Sequence, residues 1–352
     1  MSDLPQSMAA AVYQSPGRVV VEQRPVPLPA QGQVLVEVGH CGVCGSDLHL
    51  LVEGWATAGT VAGHEFTGVV RALGPGAEGW AEGDVVVGGP PARCGQCRRC
   101  LEAKPSQCER RGDVTEQLGG GFARFVLVEA RALVRVPEGL SPRTAALAEP
   151  LAVALHAVTQ AGLVAGDEVM VFGAGPIGAL AIAALAATKE HRVTAVEPNE
   201  QRRQLALDVG AEAALSPDEL ARFERWEPER LAPVAVDAVL ECSGHKAAME
   251  LGLHQLRRGG RLVLVGAGIH EPSFDPNRIL LNELEIRGSF VYDADGFERA
   301  LALLASGALP VQRLVERDDV GLEGLGPVLG DLAAGRVAGK VMVAPGTGDG
   351  RR

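Results

Sequence analysis

Residues 169–178 read VMVFGAGPIG, an apolar run that ends in glycines spaced G-x-G-x-x-G. The run has the composition of a buried strand, and the Ala- and Leu-rich residues that follow it have helical spacing. This pattern predicts a dinucleotide site, because the glycines let a pyrophosphate approach the backbone at the positive end of the helix. The predicted contacts are Gly173, Gly175, Pro176, Ile177 and Gly178.

An acidic residue indicates which dinucleotide binds. Glu197 lies nineteen residues beyond Gly178, at the end of the next predicted strand. A carboxylate there can accept both ribose hydroxyls and repels a 2′-phosphate, so we predict NAD in preference to NADP. Arg202 follows closely and could bind a 2′-phosphate, which leaves NADP open. Further candidate cofactor contacts are Ser243, Val265 and Gly266.

Two kinds of pattern divide the chain into domains. Residues 168–265 alternate short apolar runs with helical stretches, which is typical of parallel βαβ units. Residues 8–128 instead form short strand-like runs broken by proline and glycine, and the tail beyond Gly288 lacks the alternation. We predict an α/β chain with a β-rich domain at 1–150 and 288–352. The second domain, 151–287, is predicted to be a Rossmann-type, doubly wound parallel sheet.

Four cysteines lie close together in the β-rich half, in a lobe near residues 90–112. Their spacing fits one tetrahedral, all-cysteine zinc site. Such a closed thiolate site leaves no position for a substrate, so the predicted role is structural. Two disulfides or an iron–sulfur cluster are the alternatives. The four residues are Cys94, Cys97, Cys100 and Cys108.

The overall charge excludes several classes of protein. Lys plus Arg number 33 and Asp plus Glu 44, and the net charge of -11 has the wrong sign for an ordinary binder of nucleic acid phosphates. The hydrophobic content of 47% is typical of a globular chain and excludes a disordered one. Because no leader-like or membrane-spanning run is evident, we expect a soluble, cytoplasmic protein without membrane or nucleic acid partners.

Three scattered residues supply the ligand types of a catalytic zinc site. Such a site uses thiolate, imidazole and carboxylate ligands and keeps one position for water or substrate. Cys44, His64 and Glu149 offer these groups. Each is ordinary on its own, as a small buried thiol, a hydrogen-bonded histidine or an acid at a helix end.

The order of several motifs is more specific than any one of them. The chain contains GVCGSDLH (42–49), GHEFTGVV (63–70), the four-cysteine loop, EPLAVALHA (149–157), VFGAGPIG (171–178) and GKVMV (339–343). In this order they resemble the zinc-dependent medium-chain alcohol dehydrogenase superfamily over nearly the whole chain. The resemblance implies a GroES-like catalytic domain and a Rossmann domain, with zinc and nicotinamide in the cleft between them. It also implies a homodimer or homotetramer.

The resemblance further implies roles for single residues. Cys44, His64 and Glu149 become ligands of a catalytic zinc, with Glu65 as a further or alternate ligand. The four clustered cysteines become ligands of a structural zinc, which makes two zinc ions per chain. The remaining residues would orient the zinc-bound histidine or relay the alcohol proton to solvent. The first role falls to Asp47 and the second to Ser46 and His49.

The substrate is the least constrained part of the prediction. Glu149 in a Glu-Pro-Leu setting resembles the polyol, butanediol and threonine dehydrogenase branch. Sorbitol dehydrogenases place an arginine where this chain has Val291, so we predict a small or cyclic secondary alcohol or a vicinal diol. A threonine- or polyol-type dehydrogenase is the alternative. From a different class, an NAD-sensing zinc-ribbon binding protein without catalysis stays open.

Overall fold

The computed structural model describes residues 4–89, 94–110 and 119–348. Positions 90–93 and 111–112, the ends of the predicted zinc lobe, lie outside the described residues. The chain forms two compact units. The first comprises Met1–Glu149, Asp293–Gly307 and Val315–Arg352, and the second comprises Pro150–Tyr292 and Ala308–Leu314.

The strands are numbered in chain order. They are β1 (Ser7–Ser15), β2 (Arg18–Pro25), β3 (Gln33–Gly42), β4 (Glu65–Leu73), β5 (Val85–Gly88), β6 (Phe125–Glu129), β7 (Val134–Arg135), β8 (Glu168–Phe172), β9 (Arg192–Val196), β10 (Ala213–Leu215), β11 (Val236–Glu241), β12 (Leu256–Leu264), β13 (Glu285–Gly288) and β14 (Met342–Val343).

The helices follow the same convention. They are α1 (Gly45–Leu51), α2 (Arg98–Leu101), α3 (Pro142–Ala145), α4 (Ala148–Ala161), α5 (Pro176–Thr188), α6 (Glu200–Asp208), α7 (Lys246–His254), α8 (Pro276–Leu281), α9 (Gly296–Ala305), α10 (Val311–Leu314) and α11 (Leu325–Ala333). Among the described helices, none has the length and apolar character that crossing a bilayer requires.

Antiparallel sheets dominate the first unit. Strand β1 pairs with β2, and a larger sheet has the order β14-β3-β4-β5-β7, with β6 also paired to β3. Alternate residues of β3, Val34, Val36 and Val38, are buried in a core that includes Phe66 and Phe122. This architecture confirms the predicted β-rich domain and holds the ends of β3 and β4 in register.

A six-stranded parallel sheet organises the second unit. Its order is β10-β9-β8-β11-β12-β13, so the winding direction reverses between β8 and β11. Met170 and Phe172 of β8 and Val239 of β11 are almost fully buried, because helices cover a parallel sheet on both faces. The carboxyl ends of neighbouring strands meet at one edge, where ligands of doubly wound sheets bind. The predicted Rossmann-type fold is confirmed.

The unit boundaries differ from the predicted ones by one residue at Pro150 and by longer segments in two other places. The N–H of Ser289 still donates to the carbonyl of Leu264 at 2.9 Å, so the second unit continues beyond β13 to Tyr292. Helix α10 also belongs to the second unit, because it packs against α5 and α6. The sequence pattern beyond Gly288 is irregular, so it did not predict that the chain re-enters the second unit at α10.

Candidate zinc and dinucleotide sites

Three predicted metal ligands meet in the first unit. Cys44 is the N-cap of α1, His64 directly precedes β4, and Glu65 is the first residue of β4. The ligand atoms of these three side chains lie within 4.8 Å of one another. The pairing of β3 with β4 places Glu65 opposite Gly42, two residues before Cys44. Thiol, imidazole and carboxyl groups in one cluster are a donor set that suits zinc.

Glu149 lies beside this cluster and outside the group of three. It is buried in the first turn of α4, and burial raises the pKa of its carboxyl to about 8. Glu65, predicted as the further or alternate ligand, is the carboxyl that groups with the thiol and imidazole within 4.8 Å, and Glu149 is the carboxyl that raises the pKa of His64 most. Both carboxyls act on the same thiol and imidazole, and which of them binds a metal stays a prediction.

A buried lysine next to Glu65 was not among the predicted site residues. The two carboxylate oxygens of Glu65 lie 2.8 and 2.7 Å from Nζ of Lys340, which also donates to the carbonyl of Val43 at 3.1 Å. Gly42 makes room for this pair, since a Cβ at Gly42 would collide with the Glu65 carboxylate. The only signal in the sequence was a lysine at the head of the apolar run 341–343.

The cluster holds more buried acid than its cations neutralise. Burial raises the pKa of Cys44 to about 12 and also raises the pKa of Asp47. Burial disfavours a charged His64, yet the carboxyls of Glu149, Asp47 and Glu65 outweigh this effect and raise the pKa of His64. Buried charges are normally paired or bound to metal. A divalent cation would favour the ionised forms of all these acids, so the residues fit a zinc ion.

Two polar groups on α1 have oxygens that are buried without a hydrogen-bond partner among the described residues. One is Oδ1 of Asp47, whose other oxygen accepts the backbone N–H of Cys44 at 2.9 Å. The carboxyl of Asp47 contributes to the raised pKa of His64. Its role in orienting a metal-bound imidazole stays a prediction. The other is Oγ of Ser46. His49, the second predicted relay residue, lies half-buried in the last turn of α1.

The cysteine lobe brings its four predicted ligands together. The Sγ atoms are separated by 3.9 Å between Cys94 and Cys100, 3.9 Å between Cys97 and Cys108, and 3.6 Å between Cys94 and Cys108. Four sulfurs about 2.3 Å from one zinc would be about 3.8 Å apart, whereas a disulfide needs about 2 Å. The backbone N–H of Glu109 donates to Cys97 and is the main reason that the pKa of Cys97 falls to about 6. The lobe thus fits a tetrahedral zinc, and these cysteines form no disulfide.

The glycine motif forms the turn between β8 and α5. Gly173 has a φ of 86°, and a Cβ on it would lie 2.9 Å from Cβ of Ser243. A Cβ on Gly178 would collide with the carbonyl of Gly173, whereas one on Gly175 would face open space. Gly175 is the N-cap of the thirteen-residue helix α5, and Pro176 and Ile177 begin its first turn. A pyrophosphate can therefore approach the helix N-terminus at Gly175.

Glu197 follows β9 at the same edge of the sheet and is 4% exposed. Its two oxygens accept the N–H groups of Ala174 and Asn199 at 2.8 and 2.9 Å. A carboxylate has about four acceptor positions, so these bonds orient Glu197 and leave it capacity for ribose hydroxyls. Arg202 lies in the first turn of α6, where its N–H donates to Oδ1 of Asn199.

The other predicted cofactor contacts lie at the ends of β11 and β12. The N–H groups of Val265 and Gly266 donate to the carbonyl of Glu241 at 2.8 and 2.9 Å. Ser243 donates its N–H to the buried carboxyl of Glu241 at 2.9 Å. The structure therefore places all the predicted dinucleotide contacts along the carboxyl edge of one sheet.

Comparisons with known proteins match both units. Residues 30–138 match the alcohol dehydrogenase GroES-like domain family, and residues 176–306 match the zinc-binding dehydrogenase family. The chain is similar to D-xylulose reductase A of Aspergillus oryzae, with 33% identity over 308 residues that cover 85% of this chain and 86% of that protein.

Solved structures with the same architecture include 2R,3R-butanediol dehydrogenase of Bacillus subtilis. It is 31% identical, with a TM-score of 0.83, over 96% of this chain and 100% of that one. A Sinorhizobium meliloti protein solved with NADP bound is 30% identical, with a TM-score of 0.84, over 97% of this chain and 100% of that one.

Proposed function

The chain belongs to the zinc-dependent medium-chain alcohol dehydrogenase superfamily, and we propose that it transfers hydride between a secondary alcohol or vicinal diol and NAD. The observation that carries the proposal is the group formed by half-buried Cys44 and His64 with buried Glu65, whose ligand atoms lie within 4.8 Å. When bound, zinc supplies the Lewis acidity that lowers the pKa of an alcohol, and NAD supplies the hydride acceptor. Chelator-sensitive reduction of NAD by 2,3-butanediol tests the proposal.

We assign two zinc ions to each chain. Cys44 and His64, with Glu149 or Glu65, would hold the catalytic ion, and Asp47 would fix the ring of His64. The four cysteines of the lobe would hold the structural ion, and the Sγ separations of 3.6 to 3.9 Å support this assignment.

The alcohol proton needs a route that is separate from the hydride. Ser46 has a buried hydroxyl oxygen beside the thiol of Cys44, so we propose that it accepts this proton first. His49 lies on the same short helix and is partly exposed, as the final step to water requires. An imidazole suits that step because one ring nitrogen can accept a proton while the other releases one.

Relatives and residues both bear on the substrate. D-xylulose reductase and 2R,3R-butanediol dehydrogenase are named for a keto sugar and a diol, which supports a hydroxylated small molecule or the matching ketone. We favour the short diol or secondary alcohol because Val291 offers no charge or hydrogen bond to a longer polyol chain. A polyol substrate is the alternative that a panel of alcohols distinguishes.

Glu197 is proposed to select NAD, so Glu197→Ala should shift the preference toward NADP. Removing the carboxylate deletes the acceptor for the ribose hydroxyls and the repulsion of a 2′-phosphate. We expect kcat/KM to fall at least about tenfold with NAD and to rise several-fold with NADP, in line with about 1.5–3 kcal/mol for hydrogen bonds to a charged group. Steady-state kinetics with both cofactors would measure this. If the preference between NAD and NADP does not change, Glu197 does not select the cofactor, and Arg202 becomes the candidate.

A homo-oligomer is proposed through the edge strand β13. Its outer side is unpaired in the sheet of the second unit, and Leu280 and Phe290 nearby are 72% and 51% exposed. If two copies pair antiparallel about Ile286, Glu285 of one copy faces Arg287 of the other, which is charge-complementary. Arg287→Glu should then yield monomers by sedimentation, and Glu285→Arg combined with Arg287→Glu should restore the oligomer. Oligomers that persist in Arg287→Glu would exclude this edge.

A further inference from the structure

The chain that leaves α1 wraps two side chains around His49. Nδ1 of His49 lies 2.8 Å from a carboxylate oxygen of Glu53, one helical turn further along. The indole of Trp55 stacks on the imidazole, with ring centroids 4.9 Å apart and planes inclined by 19°. His49 is thus held at one ring nitrogen and on one ring face.

A turn in the backbone after α1 places Glu53 and Trp55 beside His49. The N–H groups of Val52 and Glu53 both donate to the carbonyl of Leu48, and the N–H of Trp55 donates to the carbonyl of His49 at 3.2 Å. Gly54 between them has a φ of 86°, and a Cβ there would lie 2.8 Å from the ring of Pro16. Only a glycine fits this turn without strain, and the turn returns Trp55 over His49.

We infer that Glu53 is a positioning residue for proton release, holding Nδ1–H of His49 so that Nε2 accepts the outgoing proton. The inference rests on the proposed function, in which His49 passes that proton to water. A hydrogen bond at one ring nitrogen fixes which nitrogen carries the proton in the neutral ring. An anionic partner also stabilises the imidazolium that forms after the transfer.

His49 accepts one proton and releases one proton in each turnover. The alcohol loses a hydride to NAD and a proton to the relay, and that proton arrives at Nε2 of His49. The imidazolium then releases one proton to water and returns to the neutral tautomer with Nδ1–H on Glu53. Trp55 limits rotation of the ring, so the two nitrogens keep their separate roles throughout.

Few other charges face this histidine in the described part of the chain. Helix α11 packs against α1, and its one charged residue, Asp331, is bound to Arg336 at 2.6 Å. Asp47, at the other end of α1, is engaged with the backbone of Cys44. Glu53 is therefore the charged group whose removal changes the surroundings of His49 directly.

The test compares Glu53→Gln, His49→Gln and the double variant with the wild-type holoenzyme. Gln keeps the size of Glu but loses its charge, so folding is preserved. We expect Glu53→Gln to lower kcat about tenfold and to move the midpoint of the kcat pH profile down by about half a unit or more, with the KM for NAD unchanged. Glu53→Asp should recover part of the loss. In the His49→Gln background, Glu53→Gln should cost nothing further, because the effect acts through His49.

The control is Asp331→Asn, a surface carboxylate on the neighbouring helix, and it should leave both kcat and the pH profile unchanged. If Glu53→Gln keeps the wild-type rate and profile while His49→Gln is slow, the inference is wrong and the proposed function stands. If the double variant is slower than His49→Gln, Glu53 acts by a route other than His49, and the inference is also wrong. If His49→Gln itself turns over normally, the relay in the proposed function fails, and the role of Glu53 falls with it.

Discussion

Replacing His64 with Ala is expected to lower kcat for alcohol oxidation by at least about a thousandfold while NAD still binds. The imidazole is one of the three groups whose ligand atoms meet within 4.8 Å. Without it, the centre loses a neutral nitrogen ligand and keeps only acids, so zinc affinity and geometry are both lost. The dinucleotide residues lie in the other compact unit, which explains why NAD binding should persist.

The zinc content distinguishes this explanation from general damage. Wild-type protein should contain two zinc ions per chain and His64→Ala only one, since the cysteine lobe is unaffected. A matched control is His40→Ala, another partly buried histidine of the same unit that interacts with Asp319, and it should keep its activity. Normal turnover by a His64→Ala protein that has lost one zinc would overturn the catalytic zinc site.

Replacing Lys340 with Met is expected to destabilise the protein by about 3–5 kcal/mol, because it leaves Glu65 buried without its counter-charge. Lys340 and Glu65 are 1% and 0% exposed, so water cannot take over the role of the lysine. For a chain of this size the loss corresponds to a decrease in Tm of roughly 4–7 °C. Thermal unfolding of chelator-treated protein measures it without the contribution of bound zinc.

A second substitution separates charge from packing. Glu65→Leu in the Lys340→Met background removes the stranded carboxylate and should recover much of the lost Tm, whereas Lys340→Arg alone should lose little. If Lys340→Met is as stable as the wild type, Glu65 must find another partner, and the ion pair is not what keeps this carboxyl buried.

The sequence was most informative where chemistry and backbone geometry coincide. The G-x-G-x-x-G run predicted both the turn after β8 and the helix α5, because Gly173 and Gly178 have neighbours that exclude any Cβ. The cysteine spacing predicted the lobe for a similar reason, since four thiols within fifteen residues can reach one centre. Both patterns involve residues that are close together in the sequence, so a single sequence is enough to predict the structure that they form.

Contacts between residues far apart in the sequence could not be predicted in this way. Lys340 meets Glu65 across 275 positions, and nothing in either sequence neighbourhood indicates that partner. Residues 142–161 are rich in Ala and Leu throughout, and this composition does not show the break between α3 and α4.

The sequence also did not predict where the backbone is strained. Val291 adopts a φ of 51°, which is costly for a β-branched residue, so its surroundings must impose that conformation. The sequence could supply the identity of the side chain at Val291 but not its geometry.

The most direct test is the initial rate of NAD reduction with 2,3-butanediol, apolar secondary alcohols, xylitol, sorbitol and threonine, before and after chelation and with zinc restored. We expect a clear rate with short diols or secondary alcohols that chelation abolishes and zinc restores. A rate confined to polyols would keep the enzyme class and correct the role given to Val291. Oxidation of these alcohols by protein depleted of the zinc at Cys44 and His64 would contradict the central claim.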